Sequence, residues 1–151
     1  MGATRDERRR GGVLVALSVA VMLTGAALTL ALCGCSSGGG SLEGTSWTLA
    51  SWSDASSLAG VTITAGFEDG KIAGRSAVNQ YGGPFTAGGD GSLKLGPIAS
   101  TNMAGPPAAM HAEEVYFRLL DAVTTYNVDG GKLVLSDSAG SALLTYTRSS
   151  Q

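Results

Sequence analysis

Few side chains in this sequence could carry acid–base, nucleophilic or metal chemistry. His111 is the only histidine, so a nucleophile with a histidine base would have to use it. No cluster of His, Cys, Asp and Glu has the spacing of zinc ligands, and we expect no metal and no cofactor. Glu113 and Glu114 are adjacent and would point to different sides of a helix, which favours solvated charges over a shared acid–base pair. We therefore expect no catalytic residues.

Asn79 is the uncharged polar residue best placed for a special role. It lies in the glycine-rich segment 74–83, where an asparagine commonly satisfies backbone groups at a bend. Contact with a ligand is the alternative. Gly82–Gly83 lacks the strand-to-helix context of a phosphate-binding loop. Three aromatic residues could be core residues or a partner surface, namely Trp47, Trp52 and Tyr81.

The cysteine chemistry of the chain lies near its N-terminus. Three consecutive arginines, an apolar run over residues 13–32 and the small residue Gly34 follow one another as in a secretory signal. Leu32 and Gly34, three places and one place before Cys35, resemble a bacterial lipobox, in which the cysteine thiol is acylated and becomes the new N-terminus. The sequence thus predicts a lipoprotein signal peptide over residues 1–34 and lipidation at Cys35.

Other interpretations of the N-terminal segment remain open. The apolar run has about 20 residues, which is also enough for an uncleaved membrane-spanning helix. Its positive flank would still leave the following domain outside. A twin-arginine signal is a further alternative, although Gly11–Gly12 stand where an apolar pair is expected. Cleavage before Cys33 would leave the bulky Leu32 at the last leader position, so Cys35 is preferred.

Composition limits the partners of the mature chain. Four arginines and two acidic residues precede Cys35, so the net charge of −2 for the whole chain becomes −4 after cleavage. This balance gives no electrostatic footprint for nucleic acid. After a flexible Gly/Ser-rich tether over residues 35–41, roughly 110 residues remain, enough for one core but not for two domains. We expect one monomeric domain over residues 42–148, held at the membrane by its lipid.

Short alternating segments between glycine-rich turns predict β-strands in this domain. Trp47 and Leu49 alternate with polar neighbours, and the same period of two recurs over residues 61–67. Asp69–Gly70 predicts a hairpin turn into residues 71–74. Further strands are predicted at residues 77–82, 93–98, 125–128, 132–136 and 143–148.

One segment has the period of a helix instead. Pro106–Pro107 can open a helix, and Glu114 could pair with Arg118 one turn further on. A single helix among strands predicts an α+β fold in which one amphipathic helix closes the open side of a curved antiparallel sheet. From Ala108 to Val123, the apolar residues that recur at helical spacing are Met110, Phe117, Leu120 and Val123, with Tyr116 and Leu119 beside them.

Several motifs follow one another in a fixed order. They are GTSWTL at 44–49, GRSAVNQYGG at 74–83, STNMA at 100–104, and the closing strands KLVL at 132–135 and LLTY at 143–146. Together they resemble the META domain family of HslJ-like envelope proteins. The resemblance implies a compact barrel-like antiparallel β-sheet closed by one helix. Many members are lipoproteins or periplasmic proteins linked to stress or antibiotic tolerance, and no enzymatic activity is established for them.

The resemblance also marks individual residues. Many members have a cysteine directly before the motif asparagine and another after the Met-Ala pair, where this chain has Val78 and Gly105. The loss of both predicts that these two positions touch. The residues that the family motifs mark as structural or ligand-contacting are Trp47, Gly74, Asn79, Tyr81, Gly83, Thr101, Met103, Glu114 and Phe117.

These observations favour one class of function over two others. We expect a membrane-anchored extracytoplasmic lipoprotein with a non-catalytic role in binding, or in tolerance of envelope stress or antibiotics, whose partner is an unknown envelope component. A curved sheet capped by a helix could instead enclose an acyl chain, as lipid-handling pilot proteins do. An uncharacterised enzyme is the third and least favoured alternative.

Overall fold

The computed structural model describes residues 40–149, in which nine β-strands and one α-helix are formed. The predicted lipidation site Cys35 and the predicted signal peptide lie outside this range. No helix within it is both long enough and apolar enough to cross a membrane. The elements are β1 (Thr45–Trp52), β2 (Thr64–Glu68), β3 (Lys71–Arg75), β4 (Gln80–Ala87), β5 (Leu93–Leu95), β6 (Ala99–Ser100), α1 (Pro107–Asp121), β7 (Thr125–Asp129), β8 (Lys132–Ser136) and β9 (Ala142–Arg148).

The strands form one antiparallel sheet that nearly closes on itself. Their order is β5-β4-β3-β2-β1-β9-β8-β7, and β6 also pairs with β4. The end strands β5 and β7 meet at a single bridge between Ser92 and Thr125. Beside that bridge, the Leu93 N–H donates to the Thr124 carbonyl at 2.8 Å. The predicted α+β fold, a barrel-like antiparallel sheet with one helix, is confirmed.

The first hairpin shows how local sequence sets the pairing of neighbouring strands. Asp69 and Gly70 both have positive φ, 52° and 68°, as the two-residue turn of type I′ requires. The turn places Glu68 opposite Lys71 and fixes the register of β2 against β3. The hairpin predicted from the Asp-Gly pair is therefore confirmed.

The strand predicted at residues 77–82 is displaced. β4 begins at Gln80, and residues 76–79 form a turn in which the Ser76 N–H donates to the Asn79 carbonyl at 2.8 Å. The segment predicted as one strand over residues 93–98 is also divided. β5 ends at Leu95, a short connection follows, and β6 resumes pairing with β4 with the register shifted by one residue.

The helix begins at Pro107, where the missing N–H of proline would have had no partner within the helix. The buried face differs from the predicted one, because Met110 is 36% exposed. Arg118 forms an ion pair of 2.6 Å with Asp54 and not the predicted pair with Glu114. The side chains that the helix buries are Ala112, Glu113, Val115, Tyr116, Leu119 and Leu120.

The core fills the barrel and the underside of α1. Trp47 is fully buried, and its indole N–H donates to the Thr45 hydroxyl at 2.7 Å. Tyr81 is a core residue too, whereas Trp52 is partly buried at the edge. The core residues all lie between Leu42 and Tyr146, so this part of the chain carries its own hydrophobic core.

Candidate functional site

The carboxylate of Glu113 is buried and held by several hydrogen bonds. It is 7% exposed and accepts hydrogen bonds from the Ser76 hydroxyl and from the backbone N–H groups of Val78 at 3.1 Å and Asn79 at 2.8 Å. Its second oxygen accepts from the Asn79 side-chain amide at 2.7 Å. The expectation that Glu113 is a solvated helix charge is wrong, because the turn before β4 surrounds the carboxylate with donors.

Asn79 connects this carboxylate to the segment after β6. Its side-chain oxygen accepts from the Thr101 hydroxyl and from the Met103 N–H, both at 2.7 Å. Its amide also donates to the Met103 carbonyl at 3.2 Å. Asn79 therefore joins the turn 76–79, the segment 101–103 and α1. This agrees with the prediction that Asn79 satisfies backbone groups at a bend.

The electrostatics of Glu113 follow from these contacts. Burial raises the pKa of its carboxyl, but the hydrogen bonds from Ser76, Asn79 and Val78 favour the ionised form. The bonds outweigh burial, and the pKa lies below its ordinary value of 4.5. An ionised carboxylate with its donors already in place is suited to holding the helix and not to transferring protons.

A second polar network lies inside the barrel and consists of three tyrosine hydroxyls. The Tyr81 hydroxyl donates to the Thr64 carbonyl at 3.0 Å and is 2.6 Å from that of Tyr116. Tyr116 is in turn 3.1 Å from the hydroxyl of Tyr146. Burial raises the pKa of all three phenols well above 10. The hydroxyls thus remain protonated, and they link β4, α1 and β9.

Positions 78 and 105, where many family members have cysteines, are in contact. A Cβ atom placed on Gly105 would lie 3.4 Å from the Cβ of Val78 and 2.6 Å from one of its methyl groups. The side chain of Val78 therefore occupies the space beside a residue that has none. The prediction that these two positions touch is confirmed.

Two motif glycines are required by close backbone approaches. A Cβ on Gly74 would lie 2.0 Å from the Thr64 carbonyl oxygen, so β3 can pass β2 only without a side chain there. A Cβ on Gly83 would lie 2.6 Å from the Pro97 carbonyl oxygen and 2.8 Å from the Ile98 side chain. Gly83 therefore lets the connection between β5 and β6 pack against β4.

Replacing Gly83 with alanine is expected to lower the free energy of unfolding by about 1–3 kcal/mol, because the connection at Pro97 must move away. Gly82→Ala is the matched control, since the nearest atom to its added Cβ would be 3.4 Å away, an ordinary contact. Urea unfolding of both variants measures the difference. Equal stability of the two would contradict the close approach.

An apolar groove opens where the barrel does not close. It has a volume of about 750 Å³ and runs between the β5–β6 segment and the C-terminal half of α1. Lys94 of the strand and Asp121 of the helix are among its lining residues. The apolar lining residues are Leu93, Leu95, Pro97, Ile98, Phe117, Leu120 and Val123. A groove of this size and lining is typical of ligand sites.

A smaller, more polar depression of about 580 Å³ adjoins the groove and shares Phe117 and Ser100 with it. His111 and Glu114 line it together with Asn79 and Thr101. Met103, 53% exposed, is held through its backbone by Asn79. Within residues 40–149 no three His, Cys, Asp or Glu side chains are grouped so that they could hold a metal ion.

The structure divides the residues that the sequence singled out into three groups. Trp47 and Tyr81 are core residues, and Gly74 and Gly83 permit close packing. The residues brought together around the groove and the adjoining depression are Asn79, Thr101, Glu114 and Phe117, with Met103 beside them. Cys35 lies outside the described range.

Sequence reasoning missed Ser76 and Glu113. A signal was present for Glu113, because Tyr116 and Leu120 follow it at three and seven residues and so share its helix face. A glutamate on the buried face of a helix needs partners. Ser76 gave no comparable signal.

Comparisons with known proteins agree with this architecture. An NMR structure of a protein from Burkholderia xenovorans is similar, with 25% identity and a TM-score of 0.61, over 73% of this chain and 85% of that one. A second NMR structure has 17% identity and a TM-score of 0.52, over 69% of this chain and 88% of that one, and supports the fold alone. No curated protein sequence matches this chain.

The family follows from the sequence match together with the barrel just described. The profile of the META domain matches residues 40–150, which is most of the chain. The motifs around Asn79, the helix and the closing strands all fall inside this match. This chain therefore belongs to the META domain family.

Proposed function

We propose that this protein is a lipoprotein, acylated at Cys35, whose META domain binds an envelope component in the groove between β5–β6 and α1 and thereby supports tolerance of envelope stress. The observation that carries the proposal is the groove itself, about 750 Å³ and lined by apolar side chains from both walls. Apolar area that a domain leaves open in a concave site is available for a ligand or partner.

The buried polar groups support binding over catalysis. The Glu113 carboxylate already accepts four hydrogen bonds from Ser76, Val78 and Asn79. The buried tyrosine hydroxyls bond to one another and to the Thr64 carbonyl. These hydrogen bonds hold the helix and the strands in place. A general acid or base would instead need an oxygen that is free to exchange a proton with a substrate.

The point at which the chain enters the domain limits where the partner can be. Gly40 is the first described residue, and it packs beside Val128 of β7. Gly40 is five positions after Cys35 in the sequence, and a fully extended chain covers about 3.3–3.6 Å per residue. The domain would therefore start within about 18 Å of the membrane surface. A partner embedded in or bound to the same envelope layer fits this reach.

Binding of an acyl chain is the second candidate function. It is favoured by the apolar residues that dominate the groove, among them Leu95, Ile98 and Phe117. A lipid tail would bury its methylene groups against them at roughly 0.8 kcal/mol each. The two candidates use the same groove, so the same variants test whether the groove matters at all.

Complementation of a deletion strain tests the proposal. We expect that Ile98→Asp, which places a charge in the groove, and Cys35→Ala, which removes the acylated thiol, both reduce survival under an envelope-active antibiotic to that of the deletion strain. We expect His111→Ala and Ala139→Asp to complement fully. Ala139 lies in the exposed turn before β9, so it is the matched charge control.

The controls separate the possible causes. Urea unfolding of Ile98→Asp and metabolic labelling with fatty acid establish that each variant is folded and that only Cys35→Ala loses its acyl chain. Full protection by a folded Ile98→Asp protein would overturn the groove as the site. Loss of protection with folded, acylated His111→Ala would favour an enzyme.

A further inference from the structure

The outer edge of β5 carries backbone groups that the fold does not use. Lys94 lies opposite Thr86 of β4. The backbone bonds on either side, from the Gly88 N–H to the Ser92 carbonyl and from the Gly96 N–H to the Pro84 carbonyl, show that every second residue of this segment bonds to β4. In an antiparallel pair, alternate residues direct their N–H and C=O groups to opposite sides. The N–H and C=O of Leu95 therefore point away from β4.

This side of β5 faces the groove. The Leu93 N–H, which has the same direction, donates to Thr124 at the bridge where the barrel almost closes. Two residues further on, Leu95 lines the groove, and outside the strand pairs its backbone groups form no hydrogen bond among residues 40–149. The groove thus has apolar residues on both walls, and its β5 wall carries an open strand edge.

From this edge we infer that the occupant of the groove is an extended peptide segment of a partner protein, which adds a strand beside β5. The inference rests on the function proposed above and specifies the class of partner. A peptide backbone would donate to and accept from Leu95, and its alternate side chains would pack against the partly exposed Ile98 and Phe117.

The charges of the two walls suit such a segment. Lys94 on the strand and Asp121 on the helix give the groove one positive and one negative wall residue. A peptide with side chains of both signs can pair with both and can bond to the Leu95 backbone, whereas an acyl chain offers Leu95 no hydrogen-bonding group.

A second copy of the domain fits the groove less well than a free segment. The β5 edge of that copy would itself be flanked by α1, because the same helix lines the groove in every copy. β5 is also only three residues long. A strand edge so short and so flanked favours a separate extended segment over pairing between two barrels.

The test uses the chain from Ser36 onwards, which contains the whole core, and random displayed peptides of about ten residues as the probe. We expect selected peptides to slow hydrogen exchange of the Leu95 amide, and N-methylation at alternate peptide positions to weaken binding. Leu95→Pro removes the N–H and should weaken binding about tenfold, the value of one hydrogen bond. Leu95→Ala, which keeps the N–H, is its matched control.

Each alternative has its own outcome. Peptides whose affinity is equal for Leu95→Pro and Leu95→Ala, or a failure to select any peptide, would overturn the inference. So would tight binding of palmitate in the groove with unchanged exchange at Leu95, or a dimer in sedimentation that Leu95→Pro dissociates.

In cells, the two groove variants separate the inference from the proposed function. If Ile98→Asp loses protection while Leu95→Pro keeps it, the peptide is rejected but the groove is retained. Protection by both would reject the proposed function itself.

Discussion

Replacing Glu113 with alanine is expected to lower the free energy of unfolding by roughly 3 to 5 kcal/mol, the largest loss we expect from a single substitution in this domain. The change leaves the N–H groups of Val78 and Asn79 and the Asn79 amide without their acceptor. These donors are bonded to a charge, and such bonds are stronger than neutral ones. Urea unfolding of the wild type and the variant measures the loss.

The same substitution should reveal a dependence on pH. The pKa of Glu113 is lowered in the folded domain, so its carboxylate stabilises the fold fully above the ordinary value of 4.5. The stabilisation is lost as the pH falls through the lower, folded-state pKa. The difference in stability between wild type and Glu113→Ala should therefore shrink below pH 4.5. A difference that stays constant to about pH 3 would contradict the assigned network.

Glu114→Ala is the matched control for both measurements. Glu114 is the neighbouring glutamate on the same helix, it is exposed, and it makes no hydrogen bond to the turn 76–79 in the described part of the chain. Exposed positions of this kind usually change stability by less than about 0.5 kcal/mol. A loss as large as that of Glu113→Ala would indicate a general effect on the helix.

The second large effect is a gain. The double substitution Val78→Cys with Gly105→Cys is expected to form a disulfide, because the two Cβ positions are 3.4 Å apart. A bridge between cysteines usually joins Cβ atoms about 3.5–4.5 Å apart, which a small adjustment reaches. The loop closed by the bridge has roughly 28 residues, for which the chain-entropy argument gives a gain of about 3.5 kcal/mol, less any strain.

Comparison of the oxidised and reduced forms of the double variant isolates the cross-link. Gly105→Cys alone should be destabilised by about 1–3 kcal/mol, because its Cβ would be 2.6 Å from a Val78 methyl group. Val78→Cys with Ala104→Cys is the control with a displaced second cysteine. Quantitative thiol labelling of the oxidised Val78→Cys, Gly105→Cys protein would show that the two positions are not in bonding contact.

Local signals in the sequence were sufficient for elements whose causes are local. Asp69–Gly70 contains the turn type within two residues, and Pro107 marks the start of the helix because its ring suits the first helical position. The start of β4 could not be read in this way. The turn before it is held by Glu113, more than thirty residues further along the chain.

The candidate site was likewise predictable only where its causes are local in the sequence. The prediction that Asn79 satisfies backbone groups at a bend came from its glycine-rich surroundings, and its bonds to Met103 agree with it. The groove itself has no local signal. It exists because β5 and β7, which are about thirty residues apart in sequence, are joined only around the bridge between Ser92 and Thr125, and nothing in either strand alone indicates how far a barrel closes.

The three linked tyrosine hydroxyls affect how fast a partner could bind in the proposed groove. Tyr116 ties α1 to Tyr81 of β4 on one side and to Tyr146 of β9 on the other. Moving α1 away from the sheet would break these bonds and expose three phenols to solvent. We therefore expect the α1 wall of the groove to stay in place and not to open as a lid. If the proposed groove binds a partner, that partner would meet a preformed surface and association would need no conformational step on this side. We would then expect differences in affinity among partners to lie mainly in their dissociation rates.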